Sequence, residues 1–124
     1  MLLHEIMNIL NAEALACKNS LDIEVTAVKA SDLMSDVLTM SDSGVLLITG
    51  LTNVQAVRTA EIAELSAIIF VRGKRPEKET IKLAEKKSIP LLATQLPMYE
   101  SCGLLFQNGL SGVSQSAKGT LNDA

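Results

Sequence analysis

Residues 44–94 decide the fold, because three short apolar runs alternate there with two helix-like segments. The runs are residues 45–48 (VLLI), 67–71 (AIIFV) and 90–93 (PLLA). Each run has the length of a buried strand and is too short for a typical globular helix. Strands of a parallel sheet are covered on both faces and therefore read as continuous apolar runs, as these do. The alternation of strands with helices predicts parallel βαβ units.

Two helices are predicted between these runs. The first extends from Asn53 to about Leu65, with Thr52 or Asn53 as its cap. Its alanines share one side, while Val54 and Ile62 fall with Leu65 on another, so the helix has either a second packing surface such as a dimer interface or further contacts within the chain. The second helix is expected to start at Pro76 and to end in two lysines.

The flanking sequence completes one domain. Upstream we predict a helix over residues 2–10, strands over 13–17 and 23–30, and a short helix that Ser31 and Asp32 cap. Downstream, Pro97 opens a last helix that stops at Asn108 and Gly109. We therefore expect a single α/β domain over residues 1–109, with a mostly parallel sheet of about five short strands, the last three parallel, and helices on both faces. Residues 110–124 are rich in Ser, Gly and Asn, and we predict a disordered tail.

Composition narrows the class of protein. The chain has 124 residues and a net charge of -3, which disfavours nucleic-acid binding because that function needs a basic surface. No apolar run approaches the length that spans a membrane. The two cysteines are far apart in sequence, which suits a reducing compartment. We expect a cytoplasmic protein without nucleic-acid or membrane partners.

The candidate ligand site lies at one edge of the predicted sheet. Ligands of open parallel sheets bind beyond the carboxyl ends of the strands, where hydroxyl groups, glycine backbone and cations meet here. A nucleotide or another small anion fits that chemistry. The alternative is that the basic residues form a solvated loop and that Thr52 and Asn53 only cap a helix. The predicted ligand-binding residues are Thr49, Gly50, Thr52, Asn53, Arg72, Gly73, Lys74 and Thr94.

Catalytic chemistry has little support in the sequence. His4 is the single histidine and is placed on a polar helix face, so no histidine-based triad or metal site is expected. Cys102 has two readings, a redox thiol activated by a helix dipole or a small buried side chain. We predict no catalytic residues, no metal and no cofactor.

Residues 46–94 resemble the DRTGG domain, a module named for a Gly-Asp-Arg after one strand and a Thr-Gly-Gly after the next. The resemblance extends to roughly residues 1–109, because residues 28–37 (VKASDLMSDV) are similar to the corresponding region of small stand-alone members. It implies a fold like the N-terminal domain of HPr kinase/phosphorylase. The matching frame is Gly50, residues 67–71, Gly73, Pro76, residues 83–85 (LAE) and residues 89–92 (IPLL).

The resemblance also carries expectations about function. In that kinase the catalytic P-loop belongs to a separate domain, and no Gly-x-x-x-x-Gly-Lys-Ser/Thr is present in this chain. DRTGG domains accompany CBS domains as non-catalytic, dimer-associated modules, and stand-alone members look linked to bacterial redox systems. The resemblance thus implies a bacterial, non-enzymatic regulatory module that acts as a homodimer or docks on a protein of a redox or metabolic system. The alternatives are a pure protein-interaction module and a small phosphoryl-handling enzyme.

The name-giving residues of the family are altered in this chain. Gly50-Leu51-Thr52 stands where the family has Gly-Asp-Arg, and Arg72-Gly73-Lys74 or a neighbouring frame stands where it has Thr-Gly-Gly. The Asp-Thr usual after the third strand is replaced around Gln95. The scaffold is retained while its polar residues differ.

Overall fold

The computed structural model of the chain describes residues 1–39 and 43–113, which form five strands and five helices. The strands are β1 (Glu13–Ala16), β2 (Ala27–Ala30), β3 (Val45–Thr49), β4 (Ala67–Phe70) and β5 (Leu91–Ala93). The helices are α1 (Leu3–Ile9), α2 (Met34–Val37), α3 (Val54–Ile62), α4 (Lys78–Lys87) and α5 (Met98–Gln107). No helix in the described ranges is long and apolar enough to cross a membrane.

The strands form one sheet in the order β1-β5-β4-β3-β2. Strands β2, β3, β4 and β5 run parallel, and β1 pairs antiparallel with β5 at one edge. The predicted mostly parallel α/β sheet is therefore confirmed, and β2 joins the three strands that the sequence predicted to be parallel. The carboxyl ends of four neighbouring strands consequently lie at the same edge.

Both faces of the sheet are covered by helices, as predicted. Helices α2, α3 and α4 pack on one face, where Leu47 and Phe70 point, and α1 and α5 cover the other, where Leu46 and Ile69 point. Every residue of β3, β4 and β5 is buried. This double coverage explains why the three core strands read as unbroken apolar runs.

The first half of the predicted strand over residues 23–30 is not part of the parallel sheet. The Ile23 carbonyl accepts from the Leu3 amide at 2.9 Å, and the Val25 amide donates to the Met1 carbonyl at 2.7 Å. Pairing with β3 begins only at Ala27. The backbone of residues 23–25 thus forms hydrogen bonds with the N-terminal residues of the chain, although the alternating sequence pattern predicted that it would belong to a longer strand of the sheet.

Two helix boundaries also differ from the prediction. Helix α3 ends at Ile62 because Glu64 adopts a left-handed conformation with φ of 57°, and the Leu65 amide bonds back to the Ala60 carbonyl at 2.9 Å. This is a Schellman-type end, which usually carries glycine where this chain has Glu64. Helix α4 begins at Lys78 rather than Pro76, with Glu77 at its N-cap position.

Backbone packing continues past Gly109 within the described residues. Leu110 is buried, the Val28 amide donates to the Ser111 carbonyl at 2.9 Å, and Gly112 forms a parallel bridge with Val28. The rest of the predicted tail, residues 114–124, lies outside the described residues.

Candidate functional site

The carboxyl ends of β2, β3, β4 and β5 bring the predicted site residues to one edge of the sheet. The register pairs Ala30 with Ile48, Thr49 with Phe70, and Phe70 with Ala93, so the strands end nearly level. The loops that follow begin at Ser31, Gly50, Val71 and Thr94. We call this group of four loops the carboxyl edge.

At the end of β3, Thr49 and Gly50 hold a carboxylate from the chain itself. The Thr49 hydroxyl donates to Asp32 Oδ1 at 2.9 Å, and the Gly50 amide donates to the same oxygen at 2.7 Å. The Thr49 oxygen in turn accepts from the Leu51 amide at 3.1 Å. The Gly50 amide, which we predicted to contact a ligand, therefore already donates to the Asp32 carboxylate.

Asp32 does not cap α2, and the prediction of that role is wrong. The N-cap position of α2 is Leu33, whose amide donates to the Ser31 hydroxyl at 3.0 Å. Asp32 instead reaches across to the end of β3. A sequence signal was available, since Asp32 follows a strand end just as Gly50 does, and residues at such ends meet at one edge of a parallel sheet.

The loop after β4 has a fixed backbone. Arg72 and Gly73 both adopt left-handed conformations, with φ of 61° and 69°, and their amides donate to the Leu96 and Thr94 carbonyls at 2.9 and 2.8 Å. A Cβ added at Gly73 would lie 2.5 Å from Gln95 Oε1, and its backbone conformation already favours glycine. The loop therefore presents Arg72 and Lys74 from a rigid turn.

The side chains of Arg72 and Lys74 are exposed, and neither forms an ion pair within the described residues. The stem of Lys74 runs beside Gly50, because its Cδ would lie 3.9 Å from a Cβ added there. The same position is 3.6 Å from Asp32 Oδ1. Lys74 and the Asp32 carboxylate thus border the end of β3, and Arg72 belongs to the same loop as Lys74.

Arg75, the third cation of this loop, is engaged elsewhere. Its guanidinium contacts both carboxylate oxygens of Glu13 on β1, at 2.9 and 3.3 Å. The hydrogen bonds and positive charge of Arg75 lower the pKa of the Glu13 carboxyl below its usual range. Arg75 therefore ties the loop to the edge strand.

The remaining predicted site residues hold the surrounding backbone. The buried Thr94 hydroxyl donates to the Leu10 carbonyl at 2.7 Å and accepts from the Leu96 amide at 3.3 Å. Asn53 caps α3 as predicted, accepting from the Gln55 amide at 3.1 Å. The Thr52 carbonyl accepts from the Thr80 hydroxyl of α4 at 3.0 Å. These contacts fix the relative positions of the loops.

The thiol groups do not match an activated nucleophile. Burial raises the pKa of Cys102, which lies in the middle of α5, so the structure favours the second of the two interpretations, a small side chain packed against its neighbours. Burial also raises the pKa of Cys17, and the nearby Glu85 adds to this effect. In the described part of the chain, no group of three or more His, Cys, Asp or Glu side chains could hold a metal ion.

Comparison with known proteins gives a family and a fold neighbour. The family model of the DRTGG domain matches residues 5–107. Among solved structures, the chain is similar to the CBS and DRTGG domains of the regulatory region of Clostridium perfringens pyrophosphatase, in complex with its activator diadenosine tetraphosphate. The TM-score is 0.67 at 25% identity, over 85% of this chain and 46% of that one, so the chain spans less than half of that structure. No curated protein sequence matches the chain.

Proposed function

Because the chain belongs to the DRTGG domain family, we propose that it is a non-catalytic regulatory module that senses a nucleotide or another small anion at the carboxyl edge. The structurally similar regulatory region of Clostridium perfringens pyrophosphatase binds a nucleotide activator, which supports a regulatory role of this kind. The chain contains no P-loop sequence, and its single histidine, His4, lies on α1, outside the four loops of the carboxyl edge. These features favour binding over phosphoryl transfer.

The proposed site has an outer and an inner set of residues. Arg72 and Lys74 supply positive charge, and Gly73 lets the turn present them. Gly50, Thr52 and Asn53 belong to the loop after β3, beside which the stem of Lys74 runs. Thr49 and Thr94 are buried beneath the loops and hold their backbones in place through the hydrogen bonds described above.

The observation that carries the proposal is the exposed pair of Arg72 and Lys74 on a rigid turn. The neighbouring Arg75 is paired with Glu13, whereas these two cations have no ion-pair partner in the described residues. Their charge is not needed to hold the fold, and a ligand anion would gain charge-assisted hydrogen bonds from both. The chain has a net charge of -3, so its surface is not basic as a whole and these two cations supply the local positive charge of the site.

Substituting both cations tests the ligand site. In the double variant Arg72→Ala, Lys74→Ala, we expect the affinity for adenine nucleotides and pyrophosphate to fall about a hundredfold, since two hydrogen bonds to charged groups, at about 1.5 kcal/mol each, are lost. Isothermal titration calorimetry measures the loss. The matched control is Lys18→Ala, Lys87→Ala, which removes the same charge from outside the carboxyl edge and should bind like the native protein.

A thermal-shift screen identifies the ligand class before that titration. A ligand at a hundredfold excess over its dissociation constant adds about 2.7 kcal/mol of stability, which raises Tm by several degrees in a domain of this size. Adenine nucleotides, dinucleotides, acyl phosphates and simple anions form the panel. A flat screen, or equal affinities for the double variant and the native protein, would contradict the proposed site.

A homodimer is the second part of the proposal, and the outer surface of α3 and α4 favours it. A cavity of about 440 Å³ lies between these helices, with Val54 and Leu83 among its lining residues. Ile62, one turn beyond Arg58 on α3, is 71% exposed. The rim carries Glu79 beside three cations, so in a twofold interface Glu79 of each copy could pair with one cation of the other copy, while the remaining cations would stay in solvent at the rim. The three cations are Arg58, Lys82 and Lys86.

A charge placed at Ile62 tests this interface. We expect the native protein to have the mass of a dimer in light scattering coupled to size exclusion, and Ile62→Glu to shift it to a monomer, because a buried unpaired carboxylate opposes association. The control Tyr99→Glu changes a residue that is 84% exposed on α5, across the sheet, and should leave the dimer intact. A monomeric native protein, or a dimeric Ile62→Glu, would contradict the interface.

The cytoplasmic location and a protein partner from a redox or metabolic system remain predictions. The two free thiols support a reducing compartment. Cell fractionation would test the location directly.

A further inference from the structure

The Asp32 carboxylate is anchored by one oxygen and open at the other. Oδ1 accepts from both the Thr49 hydroxyl and the Gly50 amide, which fixes the orientation of the group. Within residues 1–39 and 43–113, Oδ2 has no hydrogen-bond or ion-pair partner, and the side chain is exposed. An ionised carboxylate can only accept hydrogen bonds, so Oδ2 is a preoriented acceptor at the carboxyl edge.

The neighbouring Lys74 leaves Asp32 Oδ2 available to a ligand. Asp32 and the stem of Lys74 both approach Gly50, yet the Lys74 ammonium forms no ion pair with Asp32 in the described part of the chain. Lys74 therefore runs next to a fixed negative acceptor, and Arg72, two residues before it in the same exposed turn, adds a second positive charge to that loop. A ligand that satisfies both must be an anion at one end and a hydrogen-bond donor at the other.

Simple anions do not meet this requirement. A phosphate placed against Oδ2 would bring two negative charges together, which disfavours binding there. A hydroxyl group donates to a carboxylate without that repulsion, and a vicinal pair of hydroxyls provides two donors. A carboxylate beyond a strand end that accepts from ribose hydroxyls is a recurring arrangement in open α/β sheets.

We propose that Asp32 selects the ligand by accepting a hydrogen bond from a sugar hydroxyl, so that the ligand is a ribonucleotide with its phosphates at Arg72 and Lys74 and its ribose at Asp32 Oδ2. This inference rests on the proposed function and defines its ligand more narrowly. Asp32 is the specificity-determining residue of the site, and the two cations supply affinity for any phosphate.

The substitution Asp32→Asn isolates this role. The asparagine Oδ1 can still accept from Thr49 and Gly50, while its amide nitrogen replaces the open acceptor by a donor and removes the charge. The probes are ADP, 2′,3′-dideoxy-ADP and inorganic pyrophosphate, titrated by calorimetry. The matched control is Asp22→Asn, which makes the same change of charge at an exposed residue before β2.

In the native protein and in Asp22→Asn, we expect ADP to bind about tenfold more tightly than dideoxy-ADP, the effect of losing a hydrogen bond to a charged group. In Asp32→Asn the two nucleotides should bind almost equally, and pyrophosphate should bind more tightly than to the native protein. If ADP and dideoxy-ADP bind the native protein equally, the role of Asp32 is refuted while the phosphate site stands. If none of the three probes binds, the proposed function fails as well.

Discussion

Phe70→Ala is expected to lower the free energy of unfolding by about 3–5 kcal/mol, the usual cost of truncating a buried phenylalanine. Phe70 ends β4 and is fully buried on the face that α2, α3 and α4 cover. The substitution removes apolar contacts and leaves a cavity between sheet and helices, because the neighbouring strands cannot collapse into it without breaking their pairing with β4. Urea denaturation followed by circular dichroism measures the change.

The matched control for Phe70 is the other phenylalanine, Phe106, which is 63% exposed on α5. Phe106→Ala should cost about 1 kcal/mol or less, because its ring is largely in solvent in both states. Comparable losses for the two variants would contradict the assignment of Phe70 to the core.

Thr94→Val is expected to destabilise the fold by about 1–3 kcal/mol, because it replaces the hydroxyl by a methyl group with little change in side-chain shape. Valine leaves the Leu10 carbonyl and the Leu96 amide without the buried hydroxyl to which both now bond. These two bonds connect the end of β5 to the end of α1 and to the loop before α5. Thermal and urea unfolding both report the loss.

Two further variants serve as controls for Thr94→Val. Thr94→Ser keeps the hydroxyl and should retain most of the stability. Ser101→Ala removes a buried hydroxyl that has no hydrogen-bond partner within the described residues, so it should be nearly neutral. A neutral Thr94→Val would show that its hydroxyl does not hold these loops together.

The fold followed from the sequence where local pattern and burial agree. The three core strands were predicted to within one residue and the start of α4 to within two, because continuous apolar runs and a helix flanked by proline, acids and lysines are local signals. The family resemblance was likewise confirmed. The errors arose where distant segments compete for the backbone: Met1 and Leu3 pair with residues 23–25, and Glu64 ends α3 without the glycine that would have marked the stop.

The candidate site was predictable only in outline. The rule for parallel sheets correctly brought Gly50, Gly73 and Thr94 to one edge, but it did not show which polar groups would be engaged there. Arg75 pairs with Glu13 across 62 residues of sequence, a contact that no local pattern encodes. Asp32 reaches Gly50 across 18 residues, which the strand-end rule allows only once β2 and β3 are known to be neighbours. The tertiary structure alone separates the free cations from the paired one.

The central claim is that ligand binds at the carboxyl edge, and a nuclear magnetic resonance titration of the ¹⁵N-labelled protein with ADP tests it most directly. We expect the largest chemical-shift changes to cluster at the amides of Asp32, Gly50, Arg72, Gly73 and Lys74, which lie on three separate loops. They should saturate together and be lost in the Arg72→Ala, Lys74→Ala variant. An unchanged spectrum, or changes confined to α4 residues such as Lys82 and Lys86, would contradict it.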